Sequence, residues 1–253
     1  MSLQLPVLTN EFGRTRKFAT VHSSRTMMLA ELRLLLSSCP ASARLDDYKI
    51  AVIQENALLK RTVYTRQYTF FRMKVLYTLD NHTLLFRALR DLWDEDQDAQ
   101  PMLALLCAVS QDALLWATAE YILALPIGTS VSPGMLSEVV NQRYPNYYNA
   151  TSLKSVGQNL ISSWEQTGLL SGKLQKIRSQ AQSHPASLAY ALLLAHLSGA
   201  RGEGLFQTLW CRLLEIPSHV FHEQAGIASQ RGWIEYRHLG KITEIGFRHL
   251  LRA

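Results

Sequence analysis

The stretch RGWIEYRHLGKITEIGF, Arg231–Phe247, breaks with a chain whose other apolar patterns are helical. Trp233, Ile234 and Tyr236 form one short run, Ile242 and Ile245 a second, and His238-Leu239-Gly240 lies between them. Aromatic and β-branched residues around a glycine-containing turn predict a β-hairpin. Trp233, Ile234 and Ile242 should pack inward, with Arg237 and Lys241 exposed at the tip. Upstream lie three helical segments: 186–198, GEGLFQTLWCRLLEI, and SHVFHEQAGIASQRG after the break at Pro217. Three helices closed by a two-stranded hairpin make the winged-helix plan, a helix-turn-helix with a β-wing. A last short helix is expected to end at Leu251.

The first half reads as a helical bundle. Helices are expected over 24–37, 45–60, 63–79 with Thr62 as cap, 82–93, and 102–124. Pro40 stops the first, Asp94 to Pro101 is an acidic linker, and Pro126 with Gly128 closes the bundle. A further short helix starts near Pro133, because proline is preorganised for the first helical turn. NATSLKSVGQNLISSWEQTG gives another, with Thr151 or Ser152 as its cap, and resembles a looser copy of the closing unit. The expected fold class is mainly α, an N-terminal helical bundle followed by winged-helix-like units with small β-hairpins. The expected division is an N-terminal arm over 1–25, a helical domain over 26–128, a helix-turn-helix-like unit over 129–180 and a winged-helix-like unit over 181–253.

Charge is segregated along this plan. The net charge is +6, but residues 80–129 carry two cations against eight acids, while 44–79 carry seven cations against three acids. A polyanion such as nucleic acid suits the positive segments, and plain solubility charge is the bland alternative. The three cysteines, Cys39, Cys107 and Cys211, are scattered and read as reduced, packed thiols of a cytoplasmic protein. No signal-peptide pattern is visible at the N-terminus. The most membrane-like run, PMLALLCAVSQDALLWATAEYILALPIG, is interrupted by Gln111, Asp112 and Glu120, so buried helices are expected there rather than a span.

Three basic surfaces are candidate phosphate contacts, since lysine and arginine bind the backbone through charge. The first is the middle unit. Arg143 precedes YPNYYNATSLKS, where Asn149, Thr151, Ser152, Lys154 and Ser155 open a helix whose amides also favour phosphate. Tyr144, Tyr147 and Tyr148 either pack the turn or stack on bases. The second is the closing unit, with Arg231, Arg237 and Lys241 balanced by Glu235 and Glu244. The third is KRTVYTRQYTFFRMK, with Lys60, Arg61, Arg66, Arg72 and Lys74, which do not share one helix face. The RTRK segment, Arg14 to Lys17, reads either as an arm reaching a groove or as a tail.

Enzyme signatures are lacking, and no cofactor is expected. GLLSGK has three residues between its glycines where a phosphate loop needs four, and Leu174 stands where a Ser or Thr should hold magnesium, so it reads as a turn entering a wing. GARGEG follows no strand and is not a dinucleotide fingerprint. His219, His222 and Cys211 lack a fourth ligand for structural zinc, and no metal is expected. The carboxylates from Asp91 to Asp98 miss the calcium-loop spacing.

VIQENALLKRTVYTRQYTFFRMKVLYTL, Val52–Leu79, resembles the BrxA-like proteins of BREX phage-defence systems. The shared element is an acidic-Asn turn, a Lys-Arg pair and a Thr-capped helix. YALLLAHLSGARGEGLFQTLWCRLLEI and the closing hairpin are similar to later parts of that family. The resemblance implies a DNA-binding protein with winged-helix features, without enzymatic activity, acting beside a methyltransferase, a phosphatase-like protein and an ATPase. The expected function is therefore a non-enzymatic, weakly sequence-selective accessory that binds double-stranded DNA and has no membrane association. The alternative is a protein–protein adaptor docking onto defence-complex subunits, and RNA binding by the helical half is a third reading.

Overall fold

The computed structural model describes residues 20–240 and 242–252. Among them are eleven α-helices, two 3-10 helices and five strands. Six helices form the first half: α1 (Leu29–Ser38), α2 (Leu45–Ile53), α3 (Val63–Tyr77), α4 (Leu84–Trp93), α5 (Gln100–Gln111) and α6 (Ala113–Ala124). Leu32, Leu35 and Leu36 of α1, Met73 and Leu76 of α3 and Leu85 and Leu89 of α4 are buried in a shared core, as a helical stripe requires.

The caps explain most boundaries. Thr62 takes the backbone N–H of Thr65 at 3.1 Å and starts α3, as the sequence predicts. Replacing this exposed threonine with alanine is expected to cost about 1 kcal/mol. In a chain of this size that lowers the melting temperature by roughly 2–4 °C, measurable by thermal unfolding. Helix α2 ends at Ile53, short of the expected Lys60. Asn56 and Leu59 take left-handed backbone angles after it, and the Arg66 guanidinium caps the carbonyl of Ile53 at 2.9 Å. Helix α1 starts at Leu29 and not at Ser24, because Val21–Ser23 forms a separate 3-10 turn.

The expected single helix over 102–124 is two. The chain bends by 120° between α5 and α6. At the corner Asp112 leaves helical geometry, and its Oδ1 accepts from the N–H groups of Leu114 (2.9 Å) and Leu115 (3.2 Å), capping α6. Among the described residues no single helix is long and apolar enough to cross a membrane.

Two mixed units follow. The first runs β1 (Ser130–Val131), α7 (Pro133–Arg143), α8 (Ala150–Gln166), β2 (Leu170–Ser171) and β3 (Lys176–Arg178). Its antiparallel sheet has the order β1-β3-β2, with Ser130 opposite Ile177 and Ser171 opposite Ile177 on the other side. Asn149 caps α8, its side chain accepting from Ser152 N at 2.8 Å, so the cap lies before the expected Thr151 or Ser152. The β2–β3 turn needs Gly172: its φ is +104°, and a Cβ there would collide with the carbonyl oxygen of Gln175.

The second unit contains α9 (Pro185–Leu197), a 3-10 helix (Gly202–Gln207), α10 (Leu209–Arg212), α11 (Ser218–Gln230), β4 (Glu235–Leu239) and β5 (Ile242–Gly246). Helix α9 is apolar all round and buried from Ala186 to Ala195. It packs on α4, α5, α10 and α11, and the Tyr190 hydroxyl donates to the Leu85 carbonyl at 3.0 Å. The segment GEGLFQTLWCRLLEI is not one helix. Gly202 has φ +53° and the chain turns at Thr208, leaving the 3-10 helix and a four-residue α10. The hairpin pairs Glu235 with Gly246 through Leu239 with Ile242. Trp233 and Ile234 are buried but precede the strand, whereas Ile242 is 67% exposed and does not pack inward. Its place is beside the turn, opposite Leu239. Residues 248–251 form a turn and not a final helix.

Arg178 ties the two units together. It is buried, donating through Nε to Ile122 O (2.8 Å) and through its Nη groups to Leu169 O, Ser179 O and Glu215. A buried guanidinium needs such saturation.

Candidate nucleic-acid interface

Helix α8 presents one polar stripe to solvent. Thr151, Lys154 and Gln158 are exposed and lie at helical spacing on the same side. The opposite side is fixed by Val156, Leu160 and Trp164 in the core. Gly157 lets α8 press against α7, where Ser137 Oγ donates to Leu153 O at 2.8 Å. Arg143 is exposed at the C-terminal end of α7, beside Tyr144. Ser155 is turned back onto its own helix, donating to Thr151 O, so it does not join the stripe.

The β2–β3 turn adds a second exposed element, Lys173-Leu174-Gln175, with Leu174 fully solvent-accessible. GLLSGK is thus a strand-to-strand turn, as its glycine spacing predicts. Lys176 behaves differently from Lys173, for its ammonium pairs with Glu165. Lys173 and Gln158 are exposed candidate contacts that the sequence reading did not single out. Gln158 follows Lys154 by one helical turn and Thr151 by two, a signal available from spacing alone.

The tyrosines divide by role. Tyr144 and Tyr148 pack against the core, and Tyr148 donates to Thr20 Oγ1 at 3.3 Å. Burial raises the pKa of both, more than the opposing effects of Arg143 on Tyr144 and Thr20 on Tyr148. Tyr147 sits edge-on to Tyr148 at 4.8 Å and stays exposed.

In the closing unit acids face the cations of the hairpin. Arg231 is exposed at the end of α11. Arg237 lies directly across from Glu244 on the hairpin, and Arg248 lies 3.9 Å from Glu235. On α11 Gln224 is spent on Ser183. Leu239 and Ile242, a cross-strand pair beside the turn, are 85% and 67% exposed. Lys241 lies outside the described residues, as do Arg14 to Lys17 of the expected arm. Residues 21 and 22 of that arm are buried.

The basic stretch of the first half is largely engaged in structure. Lys60 pairs with Glu31 at 2.9 Å, and Arg66 caps α2. Arg72 donates to Tyr68 Oη at 3.0 Å and lies over its ring, with Arg25 5.0 Å from the same ring centroid. These cations lower the Tyr68 pKa, although its bond from Ser24 is the larger cause. Arg61 is exposed. The structure therefore gives Lys60, Arg66 and Arg72 different local tasks and leaves Arg61 on the surface.

One buried constellation has the connectivity of a hydrolase triad. His22 Nε2 lies 2.9 Å from Ser163 Oγ, and His22 Nδ1 lies 3.0 Å from Asp112 Oδ2. All three side chains are fully buried or within 1% of it. Ser163 Oγ donates to Asn159 O and accepts from Met27 N, both at 2.9 Å. A hydroxyl held from both sides and shut away from solvent cannot meet an acyl substrate. The group instead fastens Val21–Ser23 to α6 and α8. Burial alone would raise the Asp112 pKa, but His22 and the backbone amides of His22 and Leu115 together hold it below the ordinary carboxylate range. The three cysteines are free and buried, and burial pushes Cys107 and Cys211 up to about 12. No protein-family model and no curated protein matches this chain.

Proposed function

We propose that this chain is a non-enzymatic accessory protein that binds double-stranded DNA through a winged-helix unit spanning 129–180. The supporting observation is the order α6, β1, α7, α8, β2, β3 with a β1-β3-β2 sheet, the order of a helix-turn-helix closed by a β-wing, in which α8 and the β2–β3 turn would form the working face. In this reading α8 enters the major groove with Thr151, Lys154 and Gln158. Lys173 and Arg143 contact phosphates on either side. Few base-reading groups line α8, so selectivity is weak and affinity is chiefly electrostatic. The resemblance of Val52–Leu79 to BrxA-like proteins supports a place beside the methyltransferase, phosphatase-like protein and ATPase of a BREX-type defence system.

A second reading is favoured for 181–253 by its own surface. Acids face the hairpin cations, Glu244 across from Arg237 and Glu235 beside Arg248, and the hairpin turn exposes Leu239 with Ile242. This unit then serves as the adaptor that docks onto another defence subunit, while Arg231 and Arg237 stay at the rim of that contact. The two readings assign different tasks to different units.

The test is duplex binding across a salt series. Wild-type protein should bind with log affinity falling steeply as log salt rises, by about 0.9 for each phosphate neutralised. Lys154→Glu with Lys173→Glu should weaken binding to all sequences and reduce that slope by about 2. Arg237→Glu should leave it nearly unchanged. Absence of binding at low salt, or a slope unaffected by the double change, would sink the proposal.

A further inference from the structure

The structure brings together Glu203, His222 and His238, which the sequence places far apart. Glu203 belongs to the 3-10 helix Gly202–Gln207, His222 to α11 and His238 to β4. One carboxylate oxygen and one ring nitrogen from each histidine lie within 4.8 Å of one another. The two imidazoles have centroids 4.3 Å apart. Sequence spacing had pointed elsewhere, grouping His222 with His219 and Cys211. Cys211 is buried, and His219 projects to solvent on the exposed side of α11.

We propose that Glu203, His222 and His238 form a binding site for a divalent transition-metal ion, with zinc the best match. Three features carry it. The donor set is two imidazoles and a carboxylate, which suits zinc and its neighbours over magnesium or calcium. Each ring is oriented by a hydroxyl at Nδ1: Tyr236 Oη at 2.5 Å from His222 and Thr243 Oγ1 at 2.7 Å from His238. Such outer partners fix ring orientation and tautomer at metal-binding histidines. Thr243 in turn donates to Glu203, so that its hydroxyl takes the His238 proton contact as acceptor and His238 keeps a lone pair on its other nitrogen. Finally, the Glu203 and His238 side chains are 52% and 34% exposed, so an ion can enter and water can complete its coordination. Bound there, the ion joins three chain segments and pins the hairpin to the body of the closing unit. This inference is independent of DNA binding by residues 129–180.

The experiment is titration of tag-free full-length chain with zinc chloride, followed by calorimetry. The expected result is one equivalent bound, without competition from excess magnesium. His238→Ala and Glu203→Gln should each weaken binding roughly tenfold or more. His219→Ala, three residues from His222, should bind as wild type. Far-UV circular dichroism checks that each variant is folded, which these largely exposed positions permit. Hydrogen exchange of amides in Glu235–Leu239 and Ile242–Gly246 should slow on adding zinc. No binding to wild type, or binding unchanged in both His238→Ala and Glu203→Gln, would overturn the proposal.

Discussion

Asp112→Ala is expected to lower the melting temperature by roughly 6–20 °C, the equivalent of about 3–5 kcal/mol for leaving several buried donors without their acceptor in a chain of this size. The carboxylate has more than one task. Oδ1 caps α6 through Leu114 and Leu115, and Oδ2 accepts from Val21 N at 2.6 Å and His22 N at 3.1 Å. His22 Nδ1 lies 3.0 Å from the same oxygen. Alanine leaves four buried N–H groups and an imidazole without their acceptor, and each unmet buried donor is costly. Asp112→Asn separates the contributions. It keeps an oxygen for the cap but loses the charge, and should fall between wild type and alanine. Thermal unfolding of the three proteins at neutral pH makes the comparison. A shift below about 2 °C for alanine would show that the corner is held by apolar packing alone.

The same residue sets an acid limb. Its folded pKa lies below the unfolded value near 4. Its contribution is therefore complete above that unfolded value and is lost as pH falls through the folded pKa. Wild-type stability should drop on acidification below about pH 4, and the drop should be shallower in Asp112→Ala. Chemical denaturation at pH 7, 4 and 3 provides the measurement.

Asp112 also shows where sequence reading reached its limit. It was visible as an interruption in an apolar run, which argued against a membrane span. That it bends the chain by 120° was not visible, because the apolar pattern continues through it on both sides. The partners that make the corner stable, Val21 and His22, are about ninety residues away in sequence. Local signals fared better. Thr62 before Val63, Pro133 at a first turn and the alternation around Gly240 each depend on neighbours within a few residues, and each marks an observed element. The candidate interface divides the same way. Lys154 was legible as a cation on the opening turns of a helix. Lys173 was legible only as part of the GLLSGK turn, since the place of that turn beside α8 depends on β2 packing against the helix. Glu203, His222 and His238 were invisible as a group because they meet only when the hairpin folds back over α11.

A glycine-to-alanine change is expected to act with opposite signs at two helical positions. At Gly157 an added Cβ would overlap the carbonyl oxygen of Pro133 and the hydroxyl oxygen of Ser137, and would lie 3.0 Å from the Pro133 carbonyl carbon. One of these obstacles is backbone at the start of α7, which cannot rotate away. Helices α7 and α8 must separate, and overpacking of this kind costs about 1–3 kcal/mol, occasionally more. The melting temperature of Gly157→Ala should fall by roughly 2–12 °C. At Gly226 in α11 a Cβ would meet nothing within 4 Å. There alanine should raise stability by about 0.5–1 kcal/mol, because glycine inside a helix carries an entropic cost. The proposed interface sharpens the contrast. Moving α8 away from α7 shifts Thr151, Lys154 and Gln158 relative to the β2–β3 turn, so Gly157→Ala should weaken duplex binding even where the protein remains folded. Gly226→Ala leaves that face untouched and should bind as wild type. Equal stabilities for the two variants would mean that α7 and α8 do not pack as closely as their glycine contact requires. A destabilised Gly157→Ala that binds duplex normally would separate the α7–α8 contact from DNA recognition and move the interface elsewhere on the chain.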